Sequence, residues 1–295
     1  MKRKLICLLF CLALTCATAT AQIRLTDMMG REIELDEAPE RVVALTAAEV
    51  EILYAIGAQE ALVGRGAYCD YPDEALRLPQ VDSGAQTNIE QILALEPDAV
   101  LLSTMSQTVE QNQALEAAGV CVVVSNANDI EGVYALIRQT GALMDRQKAA
   151  EAVVAQMQAR FDALSGTAQG AQKSVYFEVS PLAYGLWTAG SGTFMDEIAQ
   201  ICGLRNAFGD VEGWAEISQE QVLERNPDYI VTVAMDAGDG PTPVEEICAR
   251  AGWESLTAVR DGGVFALDYD ALTRPGPRLA QAAEDLYALT HESFA

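Results

Sequence analysis

The chain has 295 residues, half of them hydrophobic, with 43 acidic against 19 basic side chains and a formal charge of −24. That composition specifies a folded polypeptide and excludes nucleic-acid binding through phosphate contacts. The single histidine, His291, lies close to the C-terminus, which excludes a core Ser-His-Asp or Cys-His system and any multi-histidine metal site.

Residues 1–21 read as a secretory signal peptide. Met1-Lys2-Arg3-Lys4 is basic, the stretch from Leu5 to Cys16 is apolar but too short to cross a bilayer, and Ala19-Thr20-Ala21 offers a small-residue cleavage site. A lipobox would place Leu and then Gly, Ala or Ser ahead of Cys16, where Ala13 and Thr15 stand. An exported, monomeric periplasmic product is expected, with a lipoprotein anchored through Cys16 as the alternative. Beyond the signal the cysteines are Cys69, Cys121, Cys202 and Cys248, none in C-x-x-C spacing. No cysteine metal site is expected, and at most one disulfide, Cys202–Cys248.

Residues 41–45 form a β-branched apolar run suited to a buried strand, followed by a helix over 47–56 that stops at Gly57. A strand at 62–64, a helix at 89–95 broken by Pro97-Asp98, a strand at 99–102, a helix at 109–118 and a strand at 120–124 follow. From 145 to 164, Ala149, Val153, Met157, Phe161 and Leu164 recur every three or four residues without Gly or Pro. That spacing predicts one helix of about 20 residues, roughly 30 Å long. A linker-like run at 165–170 precedes renewed alternation: strands at 175–179 and 229–233, helices at 194–201 and 221–223. The expectation is an α/β chain of two Rossmann-like lobes, 22–142 and 167–295, each with a parallel sheet, joined by a long rigid helix at 143–166.

The halves echo each other. Asn88-Ile89-Glu90-Gln91-Ile92-Leu93, then Pro97-Asp98, recurs 130 residues later as Ser218-Gln219-Glu220-Gln221-Val222-Leu223, then Pro227-Asp228. Each copy opens on an N-cap residue and carries Glu in its first turn, where a carboxylate stabilises the helix dipole by about 0.3–1 kcal/mol.

These motifs carry a resemblance. With Asp27 and Gly30-Arg31-Glu32-Ile33, Pro39-Glu40-Arg41-Val42-Val43, Tyr54-Ala55-Ile56-Gly57, Leu62-Val63-Gly64, Asp70-Tyr71-Pro72, Thr193-Phe194-Met195-Asp196-Glu197 and Arg274-Pro275-Gly276-Pro277-Arg278, the mature chain resembles the type III periplasmic substrate-binding proteins of ABC importers for iron-siderophores, haem and vitamin B12. The vitamin B12-binding members are most alike in pattern. The resemblance implies a chelate held between two lobes and delivered to a permease with its ATPase subunits. It also implies that Glu90 and Glu220 dock on that permease.

A chelate pocket needs apolar faces and a few polar anchors. Tyr68, Trp187 and Trp214 lie in loops beside glycines or polar residues and are the candidate stacking surfaces. Trp253 is assigned to packing. Asp270 and Arg274, spaced i,i+4, are the candidate polar contacts, matching an Asp and Arg of the vitamin B12-binding members. Those members have tryptophans near Gly84 and Ser103, so a pocket that is wider or differently shaped is expected here. Besides Arg274, the cleft loops offer only Arg65 as a cation, which favours a corrinoid such as cobalamin over an anionic ferric siderophore. Haem would need Tyr68 or Met105 as its axial ligand.

No catalytic residue, resident metal or cofactor is expected. Gly190-Ser191-Gly192 has neither the G-x-S-x-G spacing nor a P-loop lysine. A corrinoid-modifying or chelatase-like enzyme is the rival reading.

Overall fold

The computed structural model describes residues 22–84, 86–165, 173–233 and 240–291. The signal segment, Cys16 and most of the 165–170 linker therefore lie outside the described residues.

The first described element is a hairpin of β1 (Ile23–Thr26) and β2 (Glu32–Leu35). Its turn is organised by buried Asp27, whose carboxylate accepts the backbone N–H groups of Met29, Arg31 and Val124 and the Arg31 guanidinium. The Val124 bond ties the hairpin to the first sheet.

That sheet contains β3 (Val42–Ala44), β4 (Leu62–Gly66), β5 (Gln80–Val81), β6 (Ala99–Ser103) and β7 (Cys121–Ser125), all parallel, in the order β5-β4-β3-β6-β7. Its helices are α1 (Ala47–Ala55), α2 (Ile89–Leu93) and α3 (Val109–Ala117). Strands buried on both faces explain the unbroken apolar runs of β3 and β6.

Two helices follow where the sequence suggested one. α4 (Ile130–Leu143) and α5 (Gln147–Ser165) form a hairpin about Met144–Arg146, with Asp145 at a left-handed φ of 52°. A β-carbon at Gly141 would collide with that of Ala150, so glycine sets how closely the pair crosses. α5 is the expected long helix, about 28 Å by its 19 residues. Its fully buried stripe is Ala150, Val154, Met157 and Phe161, while Ala149, Val153 and Leu164 are partly covered at its edge. It packs on α4 and α1 before it and on helices of the chain's second half.

The second half holds β8 (Ser174–Glu178), β9 (Leu186–Ala189), α6 (Phe194–Ile201), β10 (Arg205–Asn206), β11 (Trp214–Ile217), α7 (Gln219–Arg225), β12 (Tyr229–Thr232), α8 (Pro243–Cys248), α9 (Thr257–Arg260), β13 (Val264–Ala266), α10 (Tyr269–Thr273) and α11 (Leu279–His291). β10-β8-β12-β13 is a parallel sheet, and β9 pairs with β11 as a separate antiparallel ribbon. The fold is thus α/β, with a parallel sheet on each side of the long helix. One apolar cluster runs from α1 through α4 and α5 to α6 and α11, so the halves share a core.

The expected disulfide is absent. All four described cysteines are free: Cys202 is buried with its thiol against the Ala283 carbonyl, while Cys248 is exposed at the end of α8. Burial pushes the Cys202 thiol up to about 12, so it is an inert packing group.

Candidate ligand-binding cleft

In an open parallel sheet the strands release their chain at the carboxyl ends, and ligands bind there. Here β3 ends into Thr46-Ala47-Ala48, β4 into Tyr68 and Asp70, β6 into Met105-Ser106, and β13 into Asp268-Tyr269-Asp270. Residues of all four segments line one cavity of about 670 Å³. Ser103 and Ser125 form part of its floor, and Trp214, Thr273, Arg274 and Pro275 complete the far wall. An adjoining space of about 520 Å³ shares Thr46, Ala47, Tyr68, Met105 and Ser106 and extends past Ser83 and Gly84. Gly84 lines this adjoining space and Ser103 the larger one, both positions with small or missing side chains.

Tyr68 is 77 % exposed and lines both spaces. Its loop turns away from Gly66, where a β-carbon would collide with the Leu45 carbonyl. Trp214 opens β11 and stands edge-on to Phe194, ring centroids 5.5 Å apart. Its partly buried indole lines the cavity from the second half. Trp187 is 39 % exposed and does not line the cavity. It pairs with Glu216 while Trp214 pairs with Ala189, which puts both tryptophans on the same ribbon face, two registers apart. Trp253 is fully buried beneath the Arg250 guanidinium, as packing requires.

Asp270 and Arg274 meet, Oδ1 to Nη2, at 2.6 Å. Arg274 also reaches Asp70 Oδ1 at 2.8 Å, the Tyr68 carbonyl at 3.1 Å and Glu51 Oε1 at 3.2 Å. It bridges the two halves and is itself largely buried. Burial holds the Asp270 carboxyl above its ordinary value, against the pull of Arg274. Arg65 is not a cleft cation: it is buried, donates to the Gly66 carbonyl and lines neither space.

Beneath the floor, Ser125 lies 2.5 Å from Glu49 Oε1 and 3.2 Å from the Leu102 carbonyl. Its hydroxyl has one proton to donate. Both contacts are satisfied when Glu49 is protonated and donates to Ser125, which donates onward to Leu102. Burial pushes the Glu49 carboxyl up, in agreement.

Glu90 and Glu220 are exposed in the first turns of α2 and α7. Asn88 and Ser218 cap these helices by accepting from Gln91 and Gln221 at 3.1 and 3.3 Å. Each helix runs back toward the start of β6 or β12, so each glutamate sits at the carboxyl-end side of its sheet. Glu220 lies below the usual carboxylate range, held by its own backbone N–H and the Ser218 hydroxyl.

The model of a family described as periplasmic binding protein matches residues 42–271. The chain belongs to this family. It is 30 % identical over 276 residues to an uncharacterized ABC transporter substrate-binding lipoprotein of Bacillus subtilis (strain 168), covering 91 % of this chain and 85 % of that one. A vitamin B12-binding protein of Pectobacterium carotovorum (strain PC1) is 30 % identical over 254 residues, with 84 % and 87 % covered. A periplasmic haem-binding protein from Pseudomonas aeruginosa has a similar solved structure: TM-score 0.78, 26 % identity, 86 % of this chain and 94 % of that one covered.

Within this periplasmic binding protein, sequence reasoning missed Asp70, Asp268, Tyr269 and the Thr46–Ala48 helix start as cleft residues. A usable signal existed, since each directly follows or shortly trails a parallel strand, where the fold puts ligand groups.

Proposed function

We infer that this periplasmic binding protein captures a metal chelate, a corrinoid or a ferric siderophore, in the cleft between its halves. It is the substrate-binding component of an ABC importer and acts outside the cytoplasm. A soluble periplasmic form is our reading, with anchoring through Cys16 the alternative. The chelate lies between Tyr68 and Trp214, with Trp187 extending the aromatic face, while Asp270 and Arg274 fix its orientation. Glu90 and Glu220 then meet basic residues of the permease, and ATPase subunits drive release. No covalent chemistry takes place on this chain.

The observation that carries this reading is the cavity itself. It is walled by Tyr68 from the first half and Trp214, Asp270 and Arg274 from the second. Its volume lies in the range of small-molecule sites, and its aromatic walls suit a ring compound.

The test is a thermal-shift panel with cyanocobalamin, haemin and ferric hydroxamates, read alongside product analysis. A chelate at 100 times its Kd stabilises the folded state by about 2.7 kcal/mol, which raises Tm by roughly 4–5 °C in a chain this long. A shift with no chemical change of the ligand supports the reading, and turnover of the chelate overturns it. Haem is the second reading, because the Tyr68 phenol and Met105 thioether both line the cleft and either can serve as an axial ligand.

A further inference from the structure

The guanidinium expected to anchor the ligand is already occupied. Arg274 Nη2 carries two hydrogens and meets three acceptors: Asp270 Oδ1, Asp70 Oδ1 and the Tyr68 carbonyl. Nη1 faces Glu51. The next cation, Arg278, is held by Glu51, lies 3.8 Å from Asp268 Oδ2 and is stacked 4.1 Å over the Tyr71 ring. By contrast, the Asp70, Asp270 and Asp268 side chains remain 50 %, 30 % and 58 % exposed. The charged residues lining the larger space are those three aspartates and Arg274, and the adjoining space is lined by none. Among the described residues, the cleft thus sets three carboxylates against one guanidinium.

We propose that the polar recognition element of this cleft is anionic, with Asp70, Asp268 and Asp270 as its specificity determinants. The carboxylates accept hydrogen bonds from amide, hydroxyl or ammonium groups on the chelate's rim. Chelates with free carboxylates or phenolates are excluded by the same charge. Arg274 acts on the ligand's orientation through these carboxylates, holding Asp70 and Asp270 on either side of one nitrogen. A ligand carboxylate meets a net excess of like charge, three lining carboxylates against one guanidinium, whereas an ammonium forms charge-assisted bonds roughly twice as strong as neutral ones. This inference rests on the chelate-binding reading and narrows its substrate class to neutral and cationic chelates.

Two matched pairs test it by calorimetric titration: ferrioxamine B against its N-succinyl derivative, and cyanocobalamin against its monocarboxylic acid. Within each pair the metal centre is the same and one rim group gains a carboxylate. The donor member is expected to bind at least about tenfold more tightly in any pair that binds. Asp70→Asn with Asp268→Asn should shrink that gap to within about threefold by improving the carboxylate member. Asp268 caps α10 by accepting the Ala271 N–H, a bond that an asparagine amide oxygen also makes, and an unchanged Tm checks that the variant folds. Equal affinity within a pair, preference for the carboxylate member, or an unchanged gap in the double variant overturns the anionic filter. So does binding of haemin with neither donor chelate bound, although chelate capture then stands. If no chelate binds, the proposed function falls with it.

Discussion

Arg278 grips Glu51 with two prongs, donating from Nε to Oε2 at 2.9 Å and from Nη2 to Oε1 at 2.7 Å. Glu51 lies on α1 and Arg278 just ahead of α11, so the contact closes the first helix of one sheet onto the last helix of the other. With Arg274 on the same carboxylate, it fixes the lobes at one end of the cleft.

Glu51→Ala leaves two largely buried guanidiniums facing one another without their shared partner. Loss of one member of such a group costs about 3–5 kcal/mol. Urea unfolding should show that loss, and Glu51→Gln should recover part of it by keeping an acceptor.

A second buried ion pair serves the fold alone. Arg250 donates to both Glu178 oxygens at 2.6 and 2.7 Å, contacts Glu246 and stacks on Trp253, outside both cleft spaces. Arg250→Leu strands the Glu178 charge and is expected to lower stability by about 3–5 kcal/mol. Chelate affinity, titrated below the new Tm, should stay within about twofold, because a site this remote adds independently.

The Glu49–Ser125 pair predicts a pH dependence. Burial raises the Glu49 carboxyl above its reference of 4.5, so the folded state holds a proton that the unfolded state releases. Its contribution is complete below pH 4.5 and is lost as pH rises through the raised folded value. Glu49→Gln removes that dependence. Tm measured from about pH 5 to 8.5 should fall less for the variant than for the parent. A parallel pair of curves would show that Glu49 titrates normally.

The parallel sheets and most of their helices were legible because buried strands and amphipathic helices leave periodic apolar patterns. The 130-residue echo located both capped first turns, Asn88 and Ser218, to the residue. α4 went unread although its apolar positions are periodic, because Gly132 and Gly141 fall inside it and weaken a helix pattern. The β9–β11 ribbon was missed because four-residue strands flanked by glycines look like loop. Tyr68, Trp214, Asp270 and Arg274 line one cavity, yet the saturation of Arg274 was not foreseeable. It depends on Glu51 and Asp70, which are 223 and 204 residues away in sequence and brought near only by the lobe contact. Trp187 shares a ribbon face with Trp214 but lies outside the cavity lining, a placement set by strand register that its sequence neighbours do not show.

Charge reversal at the exposed first turns should separate delivery from capture. Glu90→Lys with Glu220→Lys alters no cleft residue and no cap. Chelate affinity is expected to be unchanged, while uptake in cells expressing the matching permease and ATPase falls to background. Normal uptake would remove the docking role.

The central claim is that the chelate sits between the halves against Trp214, and calorimetric titration of the parent and Trp214→Ala with the tightest chelate of the panel tests it most directly. Titration should show one site per chain and a loss of about 10- to 100-fold in affinity on removing the indole, with Tm little changed. Equal affinity in the two proteins would place the ligand elsewhere and contradict it.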